Sequence, residues 1–368
     1  MQFSRGINIL ILFLISFLIL LIVLGNSIVM LAFVVDKRLR NQSNFFLLNL
    51  AICDFLVGAI TVPVYVPFMF TGKWIFGRFL CKIWLTVNYT TSTASAFNIV
   101  LISYDRFLSV IKAVYNRSVQ NSQSQTAIKI ALVWIFPFLI YVPAIIFWEI
   151  ITGTNIVPEY SCRAGFIGTW YFLLGASSLD FAFPMISISF FNLRIFWNIH
   201  KRSRKKRNGA AFGKSEKRPI DVTPYIIATN DVLTSTQANG IEKSKSSQYE
   251  TVNATYLLDS KANFSSQIGK LPNKVQFKVI KLSRDKKAAK SLAILVSVFA
   301  LCWAPYSFLV SIRAACQGSC IGSLWYEITI WLLFSNSAIN PILYPMCHKS
   351  FRNAFKLLFH KCLKFFTT

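Results

Sequence analysis

Long apolar runs alternate with short polar stretches along this chain, and seven of the runs reach membrane-spanning length. The first passes from Gly6 to Val35, thirty residues without a charge. At ~1.5 Å per residue it makes roughly 45 Å of helix, enough to cross a ~30 Å hydrocarbon core with tilt. Six more follow at residues 45–70, 82–110, 127–150, 168–199, 289–314 and 324–346. In lipid, every backbone N–H and C=O must be paired within its own segment, so each run is expected to be a helix. The fold expected is all-α, a seven-transmembrane helix bundle. Beyond the seventh run, Phe351, Phe355, Leu358, Phe359 and Leu363 recur at three- and four-residue steps among Arg352, Lys356 and Lys361. That spacing predicts a short amphipathic eighth helix in the membrane interface.

Residues 201–288 break the pattern, turning to Ser, Thr, Asn, Lys and Gln with little periodicity. A largely disordered cytosolic loop is expected there. Its ends should extend the flanking helices, since Val275, Val279 and Leu282 resume helical spacing. The chain then divides into residues 1–200 (spans 1–5 with their loops), 201–288 (the third cytosolic loop), 289–347 (spans 6 and 7) and 348–368 (amphipathic helix and tail).

Composition narrows the class. With 54% hydrophobic residues and a mean hydropathy of +0.51, the seven runs cannot all hide in a water-soluble core. The formal charge of +25 could suggest nucleic acid, but twenty of the 39 Lys and Arg fall in residues 201–290, with seven of the 14 acids. Lys37, Arg38 and Arg40 follow span 1 and Lys349, Arg352, Lys356, Lys361 and Lys364 follow span 7, while the outer loops are poorer in base. The positive-inside rule then places the N-terminus outside and the C-terminus in the cytosol of a multi-pass plasma-membrane protein. Such a belt faces anionic membrane lipid, and no nucleic-acid partner is expected. The first run is too long for a signal-peptide core and is read as an uncleaved span. Sequons at Asn41, Asn116, Asn253 and Asn263 map to the cytosolic side and Asn88 lies within a span, so no glycan is expected.

Four of the eight cysteines fall on the outer side. Cys81 opens span 3 and Cys162 lies in the loop after span 4, where an oxidising compartment favours a disulfide between them. Cys316 and Cys320 form C-x-x-x-C before span 7, and a second disulfide there outweighs a zinc site, since no His is near. Cys362, in the basic tail, is a candidate for lipidation.

Charged groups at membrane depth cost ~2.5–3.5 kcal/mol each on insertion scales, so each asks for a reason. They are Asp54 in span 2, Asp105 and Arg106 at the inner end of span 3, and Asp180 in the outer half of span 5. Asp54, Ser95, Asn336, Ser337 and Asn340 could converge as oxygen and amide groups. Either a hard cation or a hydrated hydrogen-bond network would suit them. Pro305 and Pro341 remove backbone donors and bend spans 6 and 7. Phe299 and Trp303 share a helix face, as a packing switch or as ordinary core.

Gly25-Asn26, Leu50-Ala51-x-x-Asp54, Asp105-Arg106-Phe107, Trp134, Phe299-x-x-Cys302-Trp303-x-Pro305 and Asn340-Pro341-Ile342-Leu343-Tyr344 occur in order, one set in each span but the fifth. Together they resemble the rhodopsin-like G-protein-coupled receptors. Narrower stretches, such as Asn98-Ile-Val-Leu-Ile-Ser-Tyr-Asp-Arg106 and Cys302-Trp-Ala-Pro-Tyr-Ser307, resemble the histamine receptors, the type-4 group above all. The resemblance implies a sodium ion held by Asp54, Ser95, Asn336 and Asn340, with no other cofactor. It implies coupling through Asp105, Arg106, Val114, Asp285 and Tyr344 to a heterotrimeric G protein of the inhibitory class, and to arrestin. Asp285 would pair with Arg106 at rest or else lie in solvent among its basic neighbours. Ligand-binding positions would be Asn88, Tyr89, Ser92, Asp180, Trp303, Tyr306, Trp331 and Phe334.

One departure matters. Amine receptors of this family carry an aspartate seven residues after the span 3 disulfide cysteine, and here that position is Asn88. An amide cannot form the ammonium salt bridge. Phe334, opposite, has no polar handle, whereas Asp180 keeps a carboxylate in span 5. Two readings stay open: a receptor for histamine or a related small amine, with its anchor shifted toward Asp180, or a drifted paralogue with no amine ligand, orphan or constitutively active. Enzymatic function is not expected, since no HExxH, GxSxG or P-loop motif occurs. Span 7 also has no lysine for a retinal pump.

Overall fold

The computed structural model describes residues 4–111, 123–153, 158, 160–212, 273–316, 320, 322–347 and 349–366. Among them every regular element is helical: α1 (Arg5–Val35), α2 (Gln42–Thr71), α3 (Gly77–Ile111), α4 (Gln123–Thr152), α5 (residues 170–212), α6 (Asn273–Ala315), α7 (Ser323–Cys347) and α8 (Lys349–Phe366). The first six are long and apolar enough to cross a membrane. The 25 residues of α7 also suffice in length, about 37 Å, although Ser335, Asn336, Ser337 and Asn340 interrupt its apolar character. Cross-membrane length thus follows from the same uncharged runs that the sequence displays.

The chain forms two compact units. One is Met1–Asn198 with Lys287–Thr368, and the other is Ile199–Lys286. The second contains the inner ends of α5 and α6, which continue as helix to Phe212 and from Asn273. The expected disordered centre of that loop, residues 213–272, lies outside the described residues.

Within the larger unit, small residues set how closely helices approach. A Cβ on Gly58 would fall 2.5 Å from Ile22 Cγ2, so α1 and α2 touch only because that position is bare. A Cβ on Gly25 would stand 3.1 Å from the Pro341 ring, and the next residue, Asn26, donates to the Ser337 carbonyl at 3.1 Å. Close approach and a polar tie together fix α1 on α7. A second tie joins three helices. Asn49 on α2 donates to Asn98 Oδ1 on α3 at 2.9 Å, and Trp134 on α4 donates its indole N–H to Asn49 Oδ1 at 2.9 Å. The opposite helix faces carry bare hydrocarbon: Phe13 is 67% exposed, Leu139 64% and Ile186 71%. Acyl chains, not water, are the solvent such faces require.

Two turns of π-helix interrupt otherwise regular helices, Val57–Thr61 in α2 and Ser178–Ala182 in α5. Nothing in the apolar pattern marks them, and both lie in the outer half. At the inner end, α8 buries Phe351 and Ala354 completely and packs the Phe351 ring on Phe33 and Tyr344, with centroids at 5.7 and 5.6 Å. Arg352 and Lys356 take the outward side. On the outer side Cys81 is joined to Cys162 and Cys316 to Cys320. The first link ties the loop after α4 to the top of α3, and Trp74 N–H donates to the Tyr160 carbonyl of the same loop at 2.8 Å.

Candidate functional site

Asp54 sits on α2 with no exposed surface. Ser337 Oγ donates to its Oδ1 at 2.9 Å and Asn340 Nδ2 to its Oδ2 at 2.8 Å, so α7 wraps the carboxylate from one side. Buried oxygens that make no hydrogen bond of ordinary geometry lie on three helices: Ser95 Oγ on α3, Asn336 Oδ1 on α7 and Asn26 Oδ1 on α1. Ser95 lies near enough to bear on the carboxylate electrostatically. One carboxylate, one free hydroxyl and free amide oxygens make a hard-donor set that fits a small alkali cation. Among the described residues, no group of three His, Cys, Asp or Glu forms a transition-metal site.

At the inner end of α3, Asp105 is 4% exposed. It accepts from Gln42 Nε2 at 3.1 Å and from Ser43 Oγ. Both donors belong to the first turn of α2, so this acid is anchored to a neighbouring helix. Tyr344 on α7 is 1% exposed and its hydroxyl has no partner. Asp285, expected opposite Arg106, belongs to the other unit, and there its Oδ2 lies 3.7 Å from Arg202 Nη1. Val114 and the sequons at Asn116, Asn253 and Asn263 lie outside the described residues, as does the side chain of Cys362. Asn41 caps α2, its Oδ1 accepting the Asn44 N–H at 3.1 Å.

The outer half is built differently. The π-turn of α5 presents Asp180 to α3 and α4, where Thr93 Oγ1 donates to Oδ1 at 2.8 Å and Tyr141 OH to Oδ2 at 2.7 Å. The Tyr141 ring stacks on Tyr89 at 5.0 Å, and Phe166 from the loop closes edge-on over Tyr89 at 5.5 Å. Across the same aromatic cluster, Tyr65 OH donates to the Glu327 carboxylate on α7, 2.9 Å from each oxygen. Tyr65 also packs on Trp84, Trp331 and Phe334. Tyr306 and Tyr326 approach at 6.0 Å, and Arg313 covers the Tyr326 ring at 4.7 Å. Trp303 rests on Phe299 at 5.2 Å, its buried indole N–H unpaired. Asn88 and Ser92 are half-buried, and the Asn88 amide has no side-chain partner among the described residues.

Residues 25–344 match the family described as 7 transmembrane receptor (rhodopsin family). The chain belongs to that family. The Histamine H4 receptor of Homo sapiens is 38% identical over 93% of this chain and 89% of its own length, and that of Mus musculus is 36% identical over 93% and 90%. The Muscarinic acetylcholine receptor M1 of Homo sapiens is more distant, at 26% over 91% and 85%. This is therefore a multi-pass membrane receptor of the G-protein-coupled class and not an enzyme.

For this receptor, the aromatic residues expected to bind ligand differ in their immediate partners. Tyr89 and Tyr306 bear on one another and on Asp180, while Trp331 and Phe334 gather around Tyr65. Four participants escaped the sequence reading: Tyr141, Thr93, Tyr65 and Tyr326. A signal existed for two of them. A tyrosine inside an apolar run must find a partner for its hydroxyl, and Tyr65 and Tyr141 each occupy such a run.

Proposed function

We propose that this receptor senses a small extracellular amine and activates a heterotrimeric G protein of the inhibitory class. The observation that carries the reading is Asp180. It is a carboxylate in the outer half, steered by two hydroxyl donors, with no lysine, arginine or histidine paired to it among the described residues. Each oxygen keeps lone pairs for an ammonium, and the faces of Tyr89 and Tyr306 suit a cation beside it. Asn88 contributes an amide and no charge, so the ligand's charge falls to Asp180. In this reading the N-terminus is outside, the basic inner loops and α8 meet anionic lipid, and arrestin shares the cytosolic face. Coupling proceeds through Asp105, Arg106 and Tyr344, with Pro305 and Pro341 as the bending points. A sodium ion would be held by Asp54, Ser95, Asn336 and Asn340. There it would supply a counter-charge to the buried carboxylate.

Radiolabelled histamine binding to wild type, Asp180→Asn and Asn88→Asp tests the ligand assignment. Removing one partner of a buried charge pair costs about 2–5 kcal/mol, roughly 30- to 4,000-fold in affinity, and that loss is expected in Asp180→Asn. Unchanged binding in that variant sinks the anchor. No wild-type binding together with restored affinity in Asn88→Asp would favour the drifted receptor without an amine ligand. Agonist-promoted G-protein activation should disappear in Arg106→Ala.

A further inference from the structure

We infer that Gln42 and Ser43, in the first turn of α2, set the receptor's resting activity by holding the Asp105 carboxylate away from its neighbour Arg106. This rests on the reading of Arg106 as the coupling arginine and names what governs it before any ligand arrives. The contacts are direct. Gln42 Nε2 donates to Asp105 Oδ1 at 3.1 Å and Ser43 Oγ donates to Oδ2, so each carboxylate oxygen is engaged from α2. Gln42 Oε1 is buried without a hydrogen-bond partner, so the amide is kept there by what its nitrogen reaches. Both donors follow directly on the Asn41 cap, which puts the carboxylate at the positive end of the α2 dipole.

The turn that carries these donors is itself held. Asn41 Oδ1 accepts the Asn44 N–H, Asn44 Nδ2 donates to the Leu39 carbonyl at 3.0 Å, and Arg40 donates to the carbonyls of Phe33 and Val34 at the end of α1. Leu39 and Asn44 are both buried. The donors are therefore fixed in place and do not follow Asp105 if it turns. A carboxylate only 4% exposed cannot go without donors. Were α2 to withdraw one, the nearest replacement along the chain is the guanidinium one residue on. A carboxylate that takes Arg106 keeps it from a cytosolic partner. The α2 donors thus favour a guanidinium available to the G protein, and the receptor signals to a measurable extent with no ligand bound.

The test is nucleotide exchange on purified heterotrimeric G proteins of each class, driven by the unliganded full-length receptor, with variants matched for folded amount through their unfolding transitions. Wild type should show basal exchange. Ser43→Ala should lower it about tenfold, the scale of one hydrogen bond to an ionised acceptor. Gln42→Ala should lower it as well, and Ser43→Thr should keep it, because the hydroxyl is kept. Asp105→Asn leaves no charge to draw Arg106 in, so adding Ser43→Ala to it should change nothing. That epistasis separates competition for one carboxylate from a general weakening of α2. No basal exchange in wild type, undiminished exchange in Ser43→Ala, or an equal fall with and without Asp105→Asn overturns the inference. If Arg106→Ala still abolishes exchange, the coupling reading survives those outcomes. Exchange that persists in Arg106→Ala removes both.

Discussion

The inner and outer halves of the bundle solve the same problem, polar groups in lipid, by opposite means. In the inner half, helices are joined by two sets of side-chain hydrogen bonds: Ser337 and Asn340 donate to the fully buried Asp54, and Trp134 donates to Asn49, which donates to Asn98. In the outer half aromatic rings do most of the packing, and polarity is confined to Tyr141, Thr93 and Asp180 at one place and Tyr65 and Glu327 at another. The unpartnered oxygens of Ser95, Asn336 and Asn26 are buried, as suits an ion or water. The outer carboxylates sit among rings, a scale suited to an organic ligand. Both π-turns fall in the outer half, and the one in α5 carries Asp180 itself. Backbone irregularity of that kind re-aims a side chain without moving the helix, so the outer half can be tuned while the inner half is kept.

The strongest way to break this contrast is Asp54→Ala. Ser337 Oγ and Asn340 Nδ2 would both be left buried without an acceptor, at about 1–3 kcal/mol each, so a loss of about 2–6 kcal/mol is expected. Thermal unfolding in detergent measures it. Asp54→Asn keeps one acceptor oxygen and should fall between. The same pair tests the cation: stabilisation by sodium over a bulky organic cation should be present in wild type and absent in both variants. An Asp54→Ala receptor as stable as wild type would show that the inner network is ornamental.

The contrast was only half legible in the chain. Span positions could be read because charge is excluded from lipid, and the Gly25-Asn26 and Asn340-Pro341 steps could be noticed as motifs. Their geometric reason, a bare Cα against a proline ring, needed the two helices side by side. Asp54 and its α7 donors were expected together because each is a polar residue stranded in an apolar run. Asp180 was foreseen and its partners were not. Thr93 and Tyr141 lie on two other helices, and a π-turn, invisible to any three-and-four periodicity, decides which way Asp180 points. Asp285 was expected to pair with Arg106 or to lie in solvent; Arg202, on the helical extension of α5 that was expected there, stands 3.7 Å from it, a neighbour that no periodicity announces.

Tyr141→Phe is the next largest effect and probes the outer half. It removes one hydrogen bond to a charged acceptor, worth about 1.5–3 kcal/mol, and leaves the ring stacked on Tyr89. Thr93 remains as the sole donor, so the carboxylate should lose its aim while keeping its charge. Amine affinity is expected to fall less than in Asp180→Asn, and binding measured on both variants, beside their unfolding temperatures, separates aim from charge. Equal losses would mean that Tyr141 holds the fold of the site instead of steering the acid.

The smallest effect sharpens the comparison most. Trp134→Phe deletes one interhelical bond of the inner network but keeps most of the ring. Asn49 stays fixed by its own donation to Asn98. Neutral interhelical hydrogen bonds within membranes average about 0.6 kcal/mol, because the alternative partners in the unfolded ensemble are also good. A cost near that value, well below Tyr141→Phe, would place the difference between the halves in charge: a shared neutral network yields one member cheaply, whereas a buried anion does not give up one of its two donors cheaply. Should Trp134→Phe cost as much as Tyr141→Phe, the inner network is cooperative and not redundant. Its members would then have to move together when α6 and α7 bend, which unfolding of the double variant Trp134→Phe with Asn98→Ala would reveal as strong non-additivity.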